Sequence, residues 1–133
     1  MATVQRFEEL FVWQKARELC QNIFRITNYE LFSKDYKLRD QIRGSSGFIM
    51  DNIAEGYERN GNKEFIQFLY IVKGSCGETR SQLYRAFDGK YINQTEFEEL
   101  KTEAEYLSIS LTRLIQHLQN STLKGSKYLR NSD

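Results

Sequence analysis

No proline interrupts the 133 residues of this chain, and apolar side chains return at steps of three and four along most of its length. Proline is the commonest breaker of helices, so a chain without one, patterned at the helical period, is constrained to fold by burying helical stripes against each other. Glycine and asparagine are left to mark the ends of the segments. The first segment is predicted from about Gln5 to Asn28, with Val12, Ala16, Leu19, Ile23 and Ile26 on one face and Trp13, Cys20 and Phe24 forming a second stripe beside it. The second runs from about Lys34 to Tyr57 through Leu38, Ile42, Ser45, Ile49 and Ile53. Asn60-Gly61 reads as a turn and Asn62 as the cap of a third segment, which carries Phe65, Leu69, Val72, Cys76, Thr79, Leu83 and Ala86 and stops at Asp88-Gly89. Asn93 followed by Glu96 resembles a capping box. The fourth stripe then runs through Phe97, Leu100, Ala104, Leu107, Leu111, Leu114 and Leu118.

Short connections between such segments make neighbours antiparallel, so the expected fold is all-α, an up-down-up-down four-helix bundle. The length suits one domain with one core. The bundle is expected over residues 1–121 and a frayed polar tail over 122–133. Hydrophobic residues at 40% and charged residues at 28% are ordinary globular values. The longest uncharged apolar run, Phe65 to Val72, is far short of the ~20 residues that cross a bilayer. Glu8 and Glu9 stand where an export signal needs an apolar core, so a cytoplasmic protein is expected. Cys20 and Cys76 lack metal-ligand spacing and read as reduced thiols.

Two small-residue patches are conspicuous, Gly44-Ser45-Ser46-Gly47 in the second segment and Gly74-Ser75-Cys76-Gly77 in the third. An interior glycine costs a helix about 1 kcal/mol relative to alanine, so something must offset them. Folding the chain back at Asn60-Gly61 sets Gly44 opposite Gly77 and Gly47 opposite Gly74, which predicts a close backbone crossing there. On that reading Gly74→Leu wedges the helices apart. The same register pairs Arg43 with Glu78 and Arg39 with Gln82. A Gly-x-x-Gly phosphate clamp is the functional alternative, and a continuous helix disfavours it.

Catalytic constellations fail on inspection. A carboxylate-bridged di-metal bundle needs two Glu-x-x-His pairs, whereas the single histidine, His117, has Leu114 three residues before it. No nucleophile elbow, phosphate loop or dinucleotide fingerprint is present. Glu96, Glu98, Glu99, Glu103 and Glu105 spread around their helix as a solvated face. The chain is therefore expected to have no enzymatic activity, no cofactor and no metal.

Leu10-Phe11-Val12-Trp13-Gln14-Lys15-Ala16, Asn52-Ile53-Ala54-Glu55-Gly56 followed by Arg59, and Gly74-Ser75 resemble, in matching order, one bacterial family. Its members are four-helix-bundle proteins encoded in intervening sequences of large-subunit ribosomal RNA genes. The resemblance runs from about Phe7 to Leu118. It implies ring-like homopentamers without established enzymatic activity, and a related branch is the basic accessory variability protein of diversity-generating retroelements, which associates with reverse transcriptase and RNA. This chain departs from the pattern at Gln41-Ile42-Arg43-Gly44, where a basic pair is common, and at Met50, where a proline is common. Its formal net charge is only +1.

Two functional classes follow. The first is a homo-oligomeric adaptor for RNA or a nucleic-acid-processing partner, with Arg39, Arg43, Arg59 and Lys63 as phosphate contacts. The second is an oligomeric protein-interaction scaffold with no nucleic-acid role. Eighteen aromatic residues and the doubled stripe of the first segment exceed what one core needs, so Trp13 and Phe24 are the candidates for a subunit interface.

Overall fold

The computed structural model describes residues 4–121; these hold five α-helices, one 3-10 turn and no strand. The tail expected over 122–133 lies outside the described residues. The helices are α1 (Phe11–Thr27), α2 (Glu30–Lys34), α3 (Tyr36–Glu58), α4 (Asn62–Asp88) and α5 (Gln94–Asn120). Every residue of the four principal stripes is buried, from Val12 in α1 to Leu118 in α5. Burial of each large aliphatic side chain contributes roughly 1.5 to 3 kcal/mol, so the stripes dominate the stability. α3 packs against α4 and α1, and α5 packs against α4 and α1, which encloses one core between the four long helices.

The ends of the helices differ from expectation in two places. α1 begins at Phe11, not near Gln5, because Phe7–Glu9 form a 3-10 turn and Leu10 is extended. The break lets Val4 and Leu10 both turn fully inward, and the Tyr57 hydroxyl of α3 donates to the Val4 carbonyl at 3.1 Å. The second difference is α2, a five-residue helix in the expected loop. It buries Phe32 completely, stacked on Tyr91 with ring centroids 5.1 Å apart. Asp35 then caps α3 by accepting from the Leu38 amide at 3.1 Å, and accepts from the Tyr91 hydroxyl at 2.8 Å.

The other boundaries follow the local chemistry. Asn60 adopts the left-handed conformation at φ 60°, which makes the turn between α3 and α4. Gly61, not Asn62, is the cap residue of α4; Asn62 is already helical and its side-chain amide donates to the Leu118 carbonyl at 3.4 Å. At α5 the capping box forms in full. Asn93 Oδ1 accepts from the Glu96 amide at 2.8 Å, and Glu96 Oε1 accepts from the Asn93 amide at 2.9 Å.

The glycine patches are where the sequence reading of packing fails. A Cβ built on Gly44, Gly47, Gly74 or Gly77 meets nothing within 4 Å, so these four glycines do not make the helix crossing. Gly44, Ser75 and Glu78 do line one groove, so the patches lie at the same level, but level does not fix direction. With Ile42, Ser45 and Ile49 turned inward, Gly44 is rotated ~100° past Ser45 and looks out of the bundle. The close approach is instead at Gly56, where a Cβ would lie 2.6 Å from Phe68 Cβ and 3.1 Å from Phe65 Cδ1.

The expected side-chain pairs fail for a related reason. Ser45 meets Thr79 and Gln82, each further along α4 than its level implies. Helical side chains lean toward their own N-terminus, so those that touch across a hairpin carry higher numbers than the backbone positions that are level. Arg43 accordingly does not reach Glu78, and Arg39 does not reach Gln82; both arginines bond on the other side of α3.

Candidate interaction surfaces

The four cations proposed for phosphate contacts fall into two groups. Arg39 and Arg43 lie near the start of α3, while Arg59 and Lys63 flank the turn after it, a separation of ~30 Å at 1.5 Å rise per residue. Three of them are already engaged. Arg39 pairs with Asp40 at 3.0 Å, donates to the Ser33 carbonyl and lies over the Tyr36 ring. Arg43 donates to Thr27 Oγ1 at 2.8 Å and Asn28 Oδ1 at 3.1 Å, with its guanidinium 4.6 Å from the Phe24 ring centroid. Arg59 bridges Glu55 at 3.0 Å and Glu64 at 3.4 Å over the Phe68 ring. The contact between Glu55 and Arg59 was legible from their one-turn spacing. Lys63 is exposed.

The outer face of α1 carries the two aromatic candidates, and they behave differently. Trp13 packs partly on the core, edge-on to Phe7 at 5.2 Å, while Phe24 is 57% exposed beneath Arg43. Two open depressions of about 560 and 400 Å³ meet at Arg17 and Gln21. Trp13 lines the first; Phe24, Cys20 and Met50 line the second. The rotation that makes Trp13, Cys20 and Phe24 a stripe thus gives a continuous shallow trough along α1.

Between α3 and α4 a groove of about 330 Å³ is walled by Asp40, Gln41, Phe48 and Glu78, with Gly44, Ser45 and Ser75 as its low side. Its floor is polar but satisfied. Ser45 donates to Gln82 Oε1 at 2.6 Å and shares a hydrogen bond with Thr79 Oγ1 at 2.8 Å. All three residues are buried, so this cluster fixes how the two helices face each other.

A third surface, missed from sequence, lies along α5. Glu98, Glu99, Thr102, Glu103 and Tyr106 line a depression of about 520 Å³, so three of the glutamates do gather on one side. Half-burial raises the Glu103 carboxyl above its ordinary range, against the lowering effect of Asn22, which donates to it at 2.8 Å from α1. Tyr106 meets Phe11 edge-on at 6.0 Å. Further along, the Tyr29 hydroxyl donates to Glu96, which with the Asn93 amide holds that carboxyl low. Asp35 is likewise held low, first by the Leu38 amide and then by Tyr91. These hydrogen bonds join helices. Burial pushes the Cys76 thiol up to about 12, and Cys20, half-buried, is raised by the same cause. Among the described residues no group of three or more metal-ligating side chains converges, and no helix is long and apolar enough to cross a membrane.

The fold thus defines an all-α protein whose distinctive surfaces are helix faces. The sequence profile of the 23S rRNA-intervening sequence protein family matches residues 8–113, and the chain belongs to that family. Its structure is similar to the crystal structure of a protein of unknown function from Bacteroides thetaiotaomicron, assigned to the S23 ribosomal protein family. The TM-score is 0.70 at 23% sequence identity, over 79% of this chain and 98% of that one. At that identity the likeness speaks for the fold. No curated protein matches.

Proposed function

We propose that the chain is a cytoplasmic, non-enzymatic, homo-oligomeric scaffold, an up-down-up-down four-helix bundle that works through its helix faces. The observation that carries this reading is the surface: Phe24, Phe48, Ile71 and Ile109 are each 43% to 57% exposed, on α1, α3, α4 and α5. Singly exposed apolar side chains are ordinary, but Phe24 shares one depression with Cys20 and Met50, and grouped apolar surface of that kind is characteristic of interfaces. The carboxyl groups with shifted ionisation each take part in a contact between separate segments, Asn22 with Glu103, Tyr29 with Glu96 and Tyr91 with Asp35, which supports a structural role over catalysis. Light scattering at micromolar concentration tests the reading. A stable multiple of 15.8 kDa is expected, five copies by family resemblance, and a monomer overturns it.

The RNA-adaptor reading rests on the family, and the division of its four cations between the two ends of α3 weighs against it. Titration with labelled RNA in rising salt separates the two. The scaffold reading expects no binding that depends on these side chains. A steep salt slope that falls by about 1 per phosphate contact removed at Arg39, Arg43, Arg59 and Lys63 restores the adaptor.

A further inference from the structure

We infer that the α1–α3 and α4–α5 connections hold each other in a reciprocal clasp, a conformational switch that stays shut while two carboxylates are charged and opens as one unit in acid. The bonds between the connections are crossed. Tyr29, just before α2, donates its hydroxyl to Glu96 in the first turn of α5. Tyr91, just before α5, donates its hydroxyl to Asp35 at the start of α3, at 2.8 Å. Each tyrosine therefore reaches a carboxylate that the opposite strand of chain uses to cap a helix. Asp35 accepts from the Leu38 amide of α3, and Glu96 accepts from the Asn93 amide in the capping box of α5. Arg25 donates to the Tyr29 oxygen at 2.8 Å, which leaves the Tyr29 proton for Glu96.

The two bonds are coupled through α2. The Tyr29 carbonyl accepts from the Ser33 amide at 2.8 Å and the Asp35 amide donates to the Phe32 carbonyl at 3.1 Å, so both flanks are tied to that short helix. On the other side the Tyr91 amide donates to the Ala86 carbonyl at 2.9 Å, and the capping box locks Asn93 to Glu96. Between the two bonds Phe32 is buried and stacked on Tyr91. A five-residue helix does not persist on its own, so losing one bond frees α2 to tilt away from the other. The surrounding charges set the direction of the switch. Glu96 faces the Tyr29 hydroxyl, the Asn93 amide and Arg25, while Asp35 faces the Leu38 amide, the Tyr91 hydroxyl and Arg85. These groups favour the charged carboxylates and hold both below their ordinary range against the opposing effect of partial burial. The clasp is therefore complete at neutral pH and is lost as pH falls through those lowered values. The same two bonds raise the tyrosine hydroxyls, which keep their protons until the medium is strongly alkaline.

Carboxyl titration by carbon NMR, with amide hydrogen exchange on the same full-length samples, tests the coupling. Tyr29→Phe removes only the donor to Glu96 and Tyr91→Phe only the donor to Asp35; each keeps its ring, so the bundle should fold normally. Each substitution is expected to raise the titration midpoint of the carboxylate it deserts. If the clasp is one unit, each also raises the midpoint of the other carboxylate, and exchange at neutral pH becomes roughly tenfold faster at both the Leu38 and the Asn93 amide, the scale of one lost hydrogen bond to a charged group. A substitution that moves only its own carboxylate and its own amide overturns the inference, because the bonds then open separately. One that moves neither carboxylate overturns it too, since the bond would not hold the clasp. Faster exchange shared by the mid-helix amides of Leu69 and Leu111 would report loosening of the whole bundle and would equally reject a local switch.

Discussion

Gly56 and Gly74 sit in the same helix pair and differ in everything but identity. At Gly56 the absent side chain is what lets α4 come close, with the Phe68 Cβ occupying the place a Cβ would take. At Gly74 the absent side chain leaves open space. Each glycine costs its helix about 1 kcal/mol of propensity. At Gly56 the packing of Phe65 and Phe68 offsets that cost, and at Gly74 no described residue packs into the space. The comparison teaches that a glycine's meaning in a helix lies in its direction: the inward one is packed against and the outward one is not.

The sharpest way to break this comparison is to place one large side chain at each site. Gly56→Leu is expected to destabilise by ~3 kcal/mol, the upper part of the usual overpacking range, because the atoms it strikes are a Cβ and a ring already packed in the core. Urea denaturation reads the loss as a lower midpoint at unchanged slope. A midpoint equal to wild type would mean that the two helices part at little cost, and the contrast with Gly74 would collapse.

Between the two glycines lies Ser45, which tests whether the helices are fixed at mid-length by polar contact. Ser45→Ala leaves Gln82 Oε1 and the Thr79 hydroxyl buried without the oxygen that joins them, at an expected cost of ~1 to 2 kcal/mol. A neutral result would show that water enters from the adjoining groove to replace the hydroxyl. The seam at mid-length would then be looser than the seam at Gly56.

The same pair of helices shows what the sequence could and could not convey. All four principal stripes are buried as the three-and-four spacing requires, because periodicity reports directly which side of a helix avoids water. The capping box at Asn93 and Glu96 was equally legible, being set by residues three apart. α2 was not, since a five-residue helix has too few turns to show a period, and its reason for existing is the distant ring of Tyr91. The glycine crossing was misplaced because folding the chain at Asn60-Gly61 sets levels, while the azimuth of Gly44 follows from the inward turn of Ser45. The surface was legible only in part. The doubled stripe marked Phe24 as exposed, and the one-turn spacing of Glu55 and Arg59 marked their contact, but nothing in the sequence gave a sign that Thr27 and Asn28 would engage Arg43.

The smallest expected effect reverses the sign of the packing argument. If Gly74 made the helix crossing, Gly74→Leu would wedge α3 and α4 apart; with open space above it, leucine instead improves the propensity of α4 without striking anything. The expected change is a gain of roughly 0.5 to 1 kcal/mol, the usual difference between glycine and a good helix former at an exposed interior position. Assembly would obscure so small a gain, because a subunit contact adds its own stability in proportion to concentration. The measurement therefore belongs in the Arg17→Glu, Phe24→Glu background, where the interface face is spoiled and the fold is measured alone. A higher urea midpoint there, beside a lower one for Gly56→Leu in the same background, would establish that the helix pair needs one glycine for its packing and not the other. A loss of stability at Gly74 would return that glycine to the interior of the fold.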